Sequence, residues 1–208
     1  MTINWQDLFQ HRKAAERRFG AIWNLPVRKR YHVVLGALGR PGVQLLEIGA
    51  GDRGLAKTMA GYWQSFDYKS CDIDPTYPHE FSSSSDIEGE YDLIVGCELI
   101  EHLTLPDAAE LLLDCFAHTK AGGKILLTTP NTYYPPGFLR DATHITPFCY
   151  DELAGLLALC GYQPTAIYRL YHDSIIKRFI KRVLFYPVFR IIGIDFAHQI
   201  AVVAEKPA

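Results

Sequence analysis

The stretch Val43–Gly54, VQLLEIGAGDRG, constrains this chain more than any other. Its apolar run, Val43–Ile48, has the length and composition of a buried strand. The run opens through Gly49-Ala50-Gly51 into a helix-compatible segment, Asp52–Gly61. That is the strand–turn–helix unit that brings backbone N–H groups close to a nucleotide-like ligand. Gly49 and Gly51 offer the dihedral freedom and the missing side chains that such an approach requires. Gly54 completes a G-x-G-x-x-G, a pattern that dinucleotide-binding oxidoreductases also carry. Glu47 argues against a pyrophosphate: a carboxylate at the strand end repels it and favours a ligand with positive charge. A glycine turn that serves only tight packing is the bland alternative.

The rest of the chain reads as strands and helices in alternation. Residues 1–40 carry apolar positions at helical spacing (Trp5, Leu8, Phe9; Ala14, Phe19, Ile22, Trp23; Tyr31, Val34, Leu35) and read as an N-terminal helical extension. A second strand is expected at Phe66–Asp72. Only Pro75–Glu90 separates it from the next, Tyr91–Cys97, and Pro75, Pro78 and Ser82–Ser85 discourage a full helix between them, so a third strand there should be brief. A helix starting near Pro106 follows, then a strand at Lys124–Thr129, a loop at Thr132–Arg140 and a helix at Tyr150–Cys160 capped by Gly161. Strands at Gln163–Tyr171 and Gln199–Glu205 close the chain. The implied fold is a single Rossmann-like α/β domain over residues 1–208. Its doubly wound sheet is mostly parallel with an antiparallel last strand, has helices on both faces, and carries its site at the carboxyl ends of the strands.

Two further carboxylates fall where such a site needs them. Asp72, at the end of the second strand, is placed to hold both hydroxyls of a ribose, although a strand-end turn would also use an aspartate. Asp86-Ile87 offers a carboxylate and an apolar contact to an adenine ring, or is a solvated acidic loop.

Taken together, E-x-G-x-G, the DIDP segment at Asp72–Pro75, YDLIVGCELIEHL, AGGKILLTTPN and DATHITPF followed by DELAGLLALCGY resemble, in that order, the class I S-adenosylmethionine (SAM) methyltransferases. Within these they are similar to the branch that includes ubiquinone-pathway O-methyltransferases. The resemblance covers about Val43–Tyr171 and the last strand. It implies SAM as methyl donor and S-adenosylhomocysteine as product, with cofactor contacts from Glu47, Gly49, Ala50, Gly51, Asp72, Ile73, Asp86 and Cys97. It also implies N-terminal helices that cap the cofactor pocket, with plain amphipathic packing helices equally consistent with the same residues. The acceptor expected is a hydroxyl of a small molecule, lipid or glycan.

The sharpest chemical pattern is Glu98-Leu99-Ile100-Glu101-His102. On a helical turn, positions i, i+3 and i+4 share a face, so Glu98, Glu101 and His102 should converge, and the family comparison brings the loop holding His144 across the same pocket. Three readings stay open. His102 or His144 serves as general base, with Glu101 beside it. Alternatively, Glu98, Glu101, His102 and His144 bind Mg²⁺ or another divalent metal, as a similar pattern does in small-RNA 3′-terminal 2′-O-methyltransferases. In the third, Glu101-His102 only caps a helix and lines the pocket. A metal-dependent RNA-terminal 2′-O-methyltransferase, an NAD-dependent oxidoreductase and a non-catalytic SAM-binding partner protein are the rival functions.

The insertion 172–197 sets this chain apart from a minimal enzyme of the class. In Ser174–Ile192, apolar Ile175, Ile176, Phe179, Ile180, Val183 and Leu184 recur at helical spacing with Lys177, Arg178, Lys181 and Arg182 between them. Asp173 or Ser174 can cap its start, and Pro187 breaks it. Such a basic amphipathic helix suits an anionic membrane surface, or packs against the core or a second copy. No RNA-binding module accompanies the basic residues, so nucleic acid is not the expected partner. The net charge of −2 hides basic ends around an acidic middle: eight basic and two acidic residues in 1–40, six and eighteen in 41–160, and seven and three in 161–208. The five cysteines include no C-x-x-C pair and read as free thiols of a reducing compartment. Residues 1–13 lack the apolar core of a secretory leader, so the expected location is cytoplasmic, with peripheral contact to the inner membrane face. A monomer or a homodimer is expected.

Overall fold

The computed structural model describes residues 3–208. The side chains of Ile175, Arg178 and Arg182, which the sequence pattern puts on the two sides of one helix, lie outside the described ones. The strands are β1 (Val27–Arg28), β2 (Val43–Ile48), β3 (Phe66–Cys71), β4 (Tyr91–Cys97), β5 (Thr119–Pro130), β6 (Gln163–Leu170) and β7 (Gln199–Glu205). They form one sheet in the order β1-β6-β7-β5-β4-β2-β3. β7 pairs antiparallel with both β5 and β6, and the other described pairs are parallel. From β2 the chain moves outward to β3 and then returns to β4 on the other side of β2. The carboxyl end of β2 is therefore the topological switch point, where open α/β sheets bind ligands.

Both faces of the sheet are covered, as its continuous apolar strands require. On one face, Leu46, Ile48, Ile94 and Ile125 pack with residues of α1 (Trp5–Phe19), α4 (Leu105–Ala117) and α6 (Tyr150–Leu159). On the other, Leu45, Val95 and Leu126 pack with α2 (Tyr31–Leu38) and α3 (Gly54–Met59). The period-two alternation of β2 thus gives Glu47 to the α2 side and Ile48 to the α4 side.

Several elements differ from the sequence reading. Residues 1–40 are not helical throughout: Val27–Arg28 extends the sheet along β6. α1 does not cover the glycine turn. It lies on α6, so close that a Cβ on Gly155 would stand 2.7 Å from the Arg12 nitrogen, and Arg12 pairs with Asp151 at 2.8 Å. Tyr31, at the start of α2, lies by Cys97 at the end of β4. β5 begins before Gly122-Gly123, because the Gly122 N–H donates to the Lys206 carbonyl and the ladder continues through the glycines. The tract at 132–140 contains α5 (Pro135–Leu139), which its prolines start instead of prevent.

The brief third strand is a single parallel bridge, Cys71 to Phe81. Elsewhere on that edge, the Glu80 carboxylate takes the place of a strand partner, accepting from the Ser70 N–H (2.8 Å) and Oγ (2.9 Å). The far side of the sheet is tied by a buried network. Arg169 on β6 pairs with Asp195 at 3.0 Å and donates to the carbonyls of Leu25 and Trp23, while Asn131 donates to the second Asp195 oxygen. The sequence reading singled out neither Arg169 nor Asp195 as partners.

Candidate active site

At the end of β2 the chain turns through Gly49 (φ +66°) and Gly51 (φ +48°), both left-handed. The N–H groups of Gly49 and Ala50 donate to the Cys71 carbonyl, and the Gly51 N–H donates to Asp72 Oδ2 at 2.7 Å. Asp72 Oδ1 accepts the Asp74 N–H at 2.9 Å. Both carboxylate oxygens of Asp72 are thereby oriented, and each keeps a lone pair for a ligand hydroxyl. Asp52 Oδ1 accepts the Gly54 N–H at 2.9 Å where α3 begins.

Glu47 is nearly inaccessible, at 6 % exposure. Burial pushes its carboxyl up to about 7; the nearby Asp52 and Asp72 add to this, while a hydrogen bond from Tyr68 and the charge of Arg53 oppose it. Three carboxylates thus surround one glycine turn, a local field that favours a cationic ligand. Tyr68 and Arg53 were not legible as site residues. Arg53, itself left-handed at φ +60°, lies over the Tyr68 ring and pairs with Glu80 at 2.9 Å.

Beside this turn lies a cavity of about 350 Å³. Its wall includes Gly49, Asp72, Ile73, Ser83–Ser85, Leu99 and Leu103. Ile73 is 87 % exposed there, an apolar face without a protein partner. Asp86 lies outside this lining: its carboxylate accepts from Ser82, and Ser84, which donates to Asp114 at 2.6 Å, stands at the wall in its place. A 3₁₀ turn at Ser84–Asp86 occupies the shortened crossover beside that wall. Ile87 is buried in the core. The Cys97 thiol lies by Tyr31 and Thr128, on the α2 side of the sheet, and burial pushes it up to about 12.

The segment after β4 forms the wall between the donor side and a second cavity. Leu99 closes over Gly49: a Cβ on that glycine would meet the Leu99 Cδ1 at 3.0 Å. The expected helical face of Glu98, Glu101 and His102 does not form. Glu98 is left-handed (φ +51°), and only Ile100–His102 make a 3₁₀ turn. The Glu98 carboxylate accepts from Thr128 Oγ1 at 2.9 Å and lines the second cavity, outside the close ligand group though still near enough to act on Glu101 by charge. This corrects the four-residue cluster to three. Glu101, His102 and His144 bring one ligand atom each to within 4.8 Å of one another, and among the described residues no other such group is found.

Each member of that trio is held by its surroundings. His144 Nδ1 lies 2.8 Å from the Phe138 carbonyl, an acceptor only, so in the neutral ring Nδ1 carries the proton and Nε2 the lone pair. His102 Nδ1 is 3.2 Å from the Thr143 carbonyl and 3.0 Å from its hydroxyl. The rings meet edge-on at 4.9 Å. Glu101 is fully buried and neither carboxylate oxygen has a hydrogen-bond partner among the described residues. Burial, with Glu98 nearby, pushes it up to about 8.

The second cavity, of about 430 Å³, lies between Glu98, Tyr134 and Arg140 on one side and His172, His198 and Gln199 on the other. Tyr134 stands edge-on to His198 at 4.8 Å, and His172 Nε2 is 2.7 Å from Gln199 Oε1. Nothing in the sequence reading pointed to Arg140, His172 or His198, because only the antiparallel return of β7 brings them together.

Residues 17–167 match the family model described as a methyltransferase domain. A comparison with curated protein sequences gave no match. Among solved structures, the chain is similar to a SAM-dependent methyltransferase from Archaeoglobus fulgidus (TM-score 0.67, 16% identity, covering 98% of this chain and 100% of that one). It is also similar to the N-methyltransferase NodS from Bradyrhizobium japonicum (0.57, 12%, 85% and 94%) and to magnesium protoporphyrin IX methyltransferase from Synechocystis with bound SAM (0.53, 11%, 99% and 86%). With the glycine turn, the two strand-end carboxylates and the family match in agreement, the chain belongs to the methyltransferase-domain family, within the class I SAM-dependent methyltransferases.

Proposed function

We propose that this protein moves the methyl group of SAM to a hydroxyl of a small-molecule, lipid or glycan acceptor, with His144 as general base. In this reading Glu47 takes the ammonium of the donor and Asp72 the ribose hydroxyls. The adenine lies against Ile73 and Leu103. The methyl group then points past Leu99 toward the second cavity, where the acceptor oxygen attacks in line. The new C–O bond forms as the S–C bond breaks, the hydroxyl proton passes to His144 Nε2, and S-adenosylhomocysteine leaves. A sulfonium methyl is already electrophilic, so alignment carries much of the acceleration and the base adds to it.

The observation that carries this reading is the Phe138 carbonyl on His144 Nδ1, which leaves Nε2 as the acceptor atom of the ring. The test is a methyl-transfer reaction on a cell extract with labelled SAM, the product identified by mass and by NMR. A methyl ether supports the proposal, and a methyl ester, which forms on a carboxylate, counts against it. A label found on nitrogen or carbon overturns it.

The partnerless Glu101 carboxylate favours a second reading of the same trio. Glu101, His102 and His144 offer one oxygen and two nitrogens, a donor set that suits a divalent cation, and such an ion would supply Lewis-acid activation of the hydroxyl. Activity that survives a chelator excludes this reading; activity lost to the chelator and restored by Mg²⁺ or Mn²⁺ selects it.

A further inference from the structure

We propose that the segment 174–192 docks this enzyme on an anionic lipid bilayer, so that the second cavity opens toward the leaflet and its acceptor is an amphiphile held there. The part concerning the acceptor rests on the methyl-transfer reading above; the docking does not.

The segment folds as α7 (Ile175–Phe179), a π-helical turn (Ile180–Leu184) and α8 (Tyr186–Ile191), with Ser174 capping the first and Pro187 starting the last. It is pinned from one side by polar contacts. Lys181 pairs with Asp173 at 2.7 Å, and the Tyr186 hydroxyl donates to the Trp23 carbonyl at 3.0 Å. Asp173 also lines the second cavity, so the pinned side of the segment adjoins the cavity mouth. Away from these anchors, Ile176, Phe179, Leu184, Val188, Ile191 and Ile192 are between 48 % and 84 % exposed. They are spaced largely three and four residues apart, in a segment of nineteen residues that contains no carboxylate. This much apolar area concentrated in one short segment marks an interaction surface.

Charge decides among occupants. The segment holds five basic residues (Lys177, Arg178, Lys181, Arg182 and Arg190) and no acidic one. A second copy docked through the same segment would bring its five basic residues against five more, of which Lys181 alone is described as paired, with Asp173, and the repulsion among the rest disfavours a self-complementary interface. An anionic bilayer satisfies both features, taking the apolar side chains into the acyl boundary and the cations among its headgroups. No described helix is long and apolar enough to cross a membrane, so the segment lies in the interface.

The test uses the full chain in sedimentation with vesicles of phosphatidylcholine, with and without phosphatidylglycerol, at low and high salt. The proposal predicts retention by the anionic vesicles that weakens as salt rises. The triple variant I176S/F179S/I191S alters exposed side chains only. It should partition about tenfold less or weaker still, with S-adenosylhomocysteine affinity and melting temperature unchanged. Equal retention of wild type and variant, or no preference for anionic vesicles, overturns the proposal. So does a wild-type dimer that the triple variant loses without any vesicle binding, which assigns the face to a second copy. Failure to bind S-adenosylhomocysteine would sink the methyl-transfer reading and leave the vesicle result standing.

Discussion

The Tyr68 hydroxyl donates to Glu47 Oε2 across the neighbouring strands β3 and β2, one position before β2 ends. That bond holds a buried carboxylate at the lip of the glycine turn and keeps part of its charge available, against the cost of burial. Without it, burial and the neighbouring Asp52 and Asp72 would drive Glu47 further toward its neutral form.

Donor binding should therefore depend on pH. The free-protein carboxyl of Glu47 sits at about 7, and a ligand ammonium favours its ionised form. Affinity for S-adenosylhomocysteine should rise with pH through that range and level off above about pH 8, with a limiting slope of about tenfold per unit on the acid side. Calorimetry between pH 6 and 8.5 reads the slope. Glu47→Gln should bind more weakly and lose the dependence, whereas a wild type with flat affinity would contradict the assignment.

Glu101 gives a stability prediction with a definite sign. Its folded value, about 8, lies above the ordinary 4.5, so the folded protein retains a proton that the unfolded chain has already released. The stability associated with that proton is fully present below about pH 4.5 and is lost as pH rises through about 8. Glu101→Gln removes the charge without changing the shape. At pH 8.5 it should stabilise the ligand-free protein by about 1–3 kcal/mol, or roughly 2–10 °C in Tm, with a smaller gain at pH 6. Thermal scans at the two values test it; a variant less stable at pH 8.5 than at pH 6, relative to wild type, would reverse the sign.

Replacing the base should separate chemistry from binding. His144→Ala should lower kcat by about 10²–10⁴ while S-adenosylhomocysteine affinity stays within about threefold, because in the proposed mechanism the imidazole takes the acceptor's proton and makes no contact with the donor. Full activity in the variant would remove His144 from the mechanism.

Gly155 tests where α1 docks. A Cβ there would stand 2.7 Å from the Arg12 backbone nitrogen, which cannot swing away as a side-chain tip can. Gly155→Val should cost about 1–3 kcal/mol and lower Tm by about 2–10 °C, yet leave donor affinity intact in the folded fraction. An unchanged Tm would mean that α1 is not held against α6.

The parts of this architecture written in local pattern were legible from the residues alone. Val43–Ile48 and Tyr91–Cys97 declare themselves as buried strands by apolar runs, and Gly49, Gly51 and Asp72 by their spacing after them. What escaped depends on which strands become neighbours. Tyr68 reaches Glu47 only because β3 lies beside β2 in that register. Arg169 and Asp195 meet across 26 residues of sequence, and His172 and His198 face each other only after β7 returns antiparallel. Glu98 escaped for another reason: its left-handed backbone breaks the i, i+3, i+4 geometry that put it with Glu101 and His102. Glu80 and a single bridge at Phe81 stand in for the usual third strand ahead of Asp86, an arrangement that no local pattern announces.

The central claim is that the turn at Gly49 holds a methyl donor by the two carboxylates flanking it. Titration calorimetry with S-adenosylhomocysteine and with NAD, on wild type, Glu47→Gln and Asp72→Asn, tests it most directly. The account predicts binding of S-adenosylhomocysteine by wild type, loss of about tenfold or more in each variant, and no heat from NAD. Wild type that ignores S-adenosylhomocysteine, binds NAD instead, or tolerates both substitutions would contradict it.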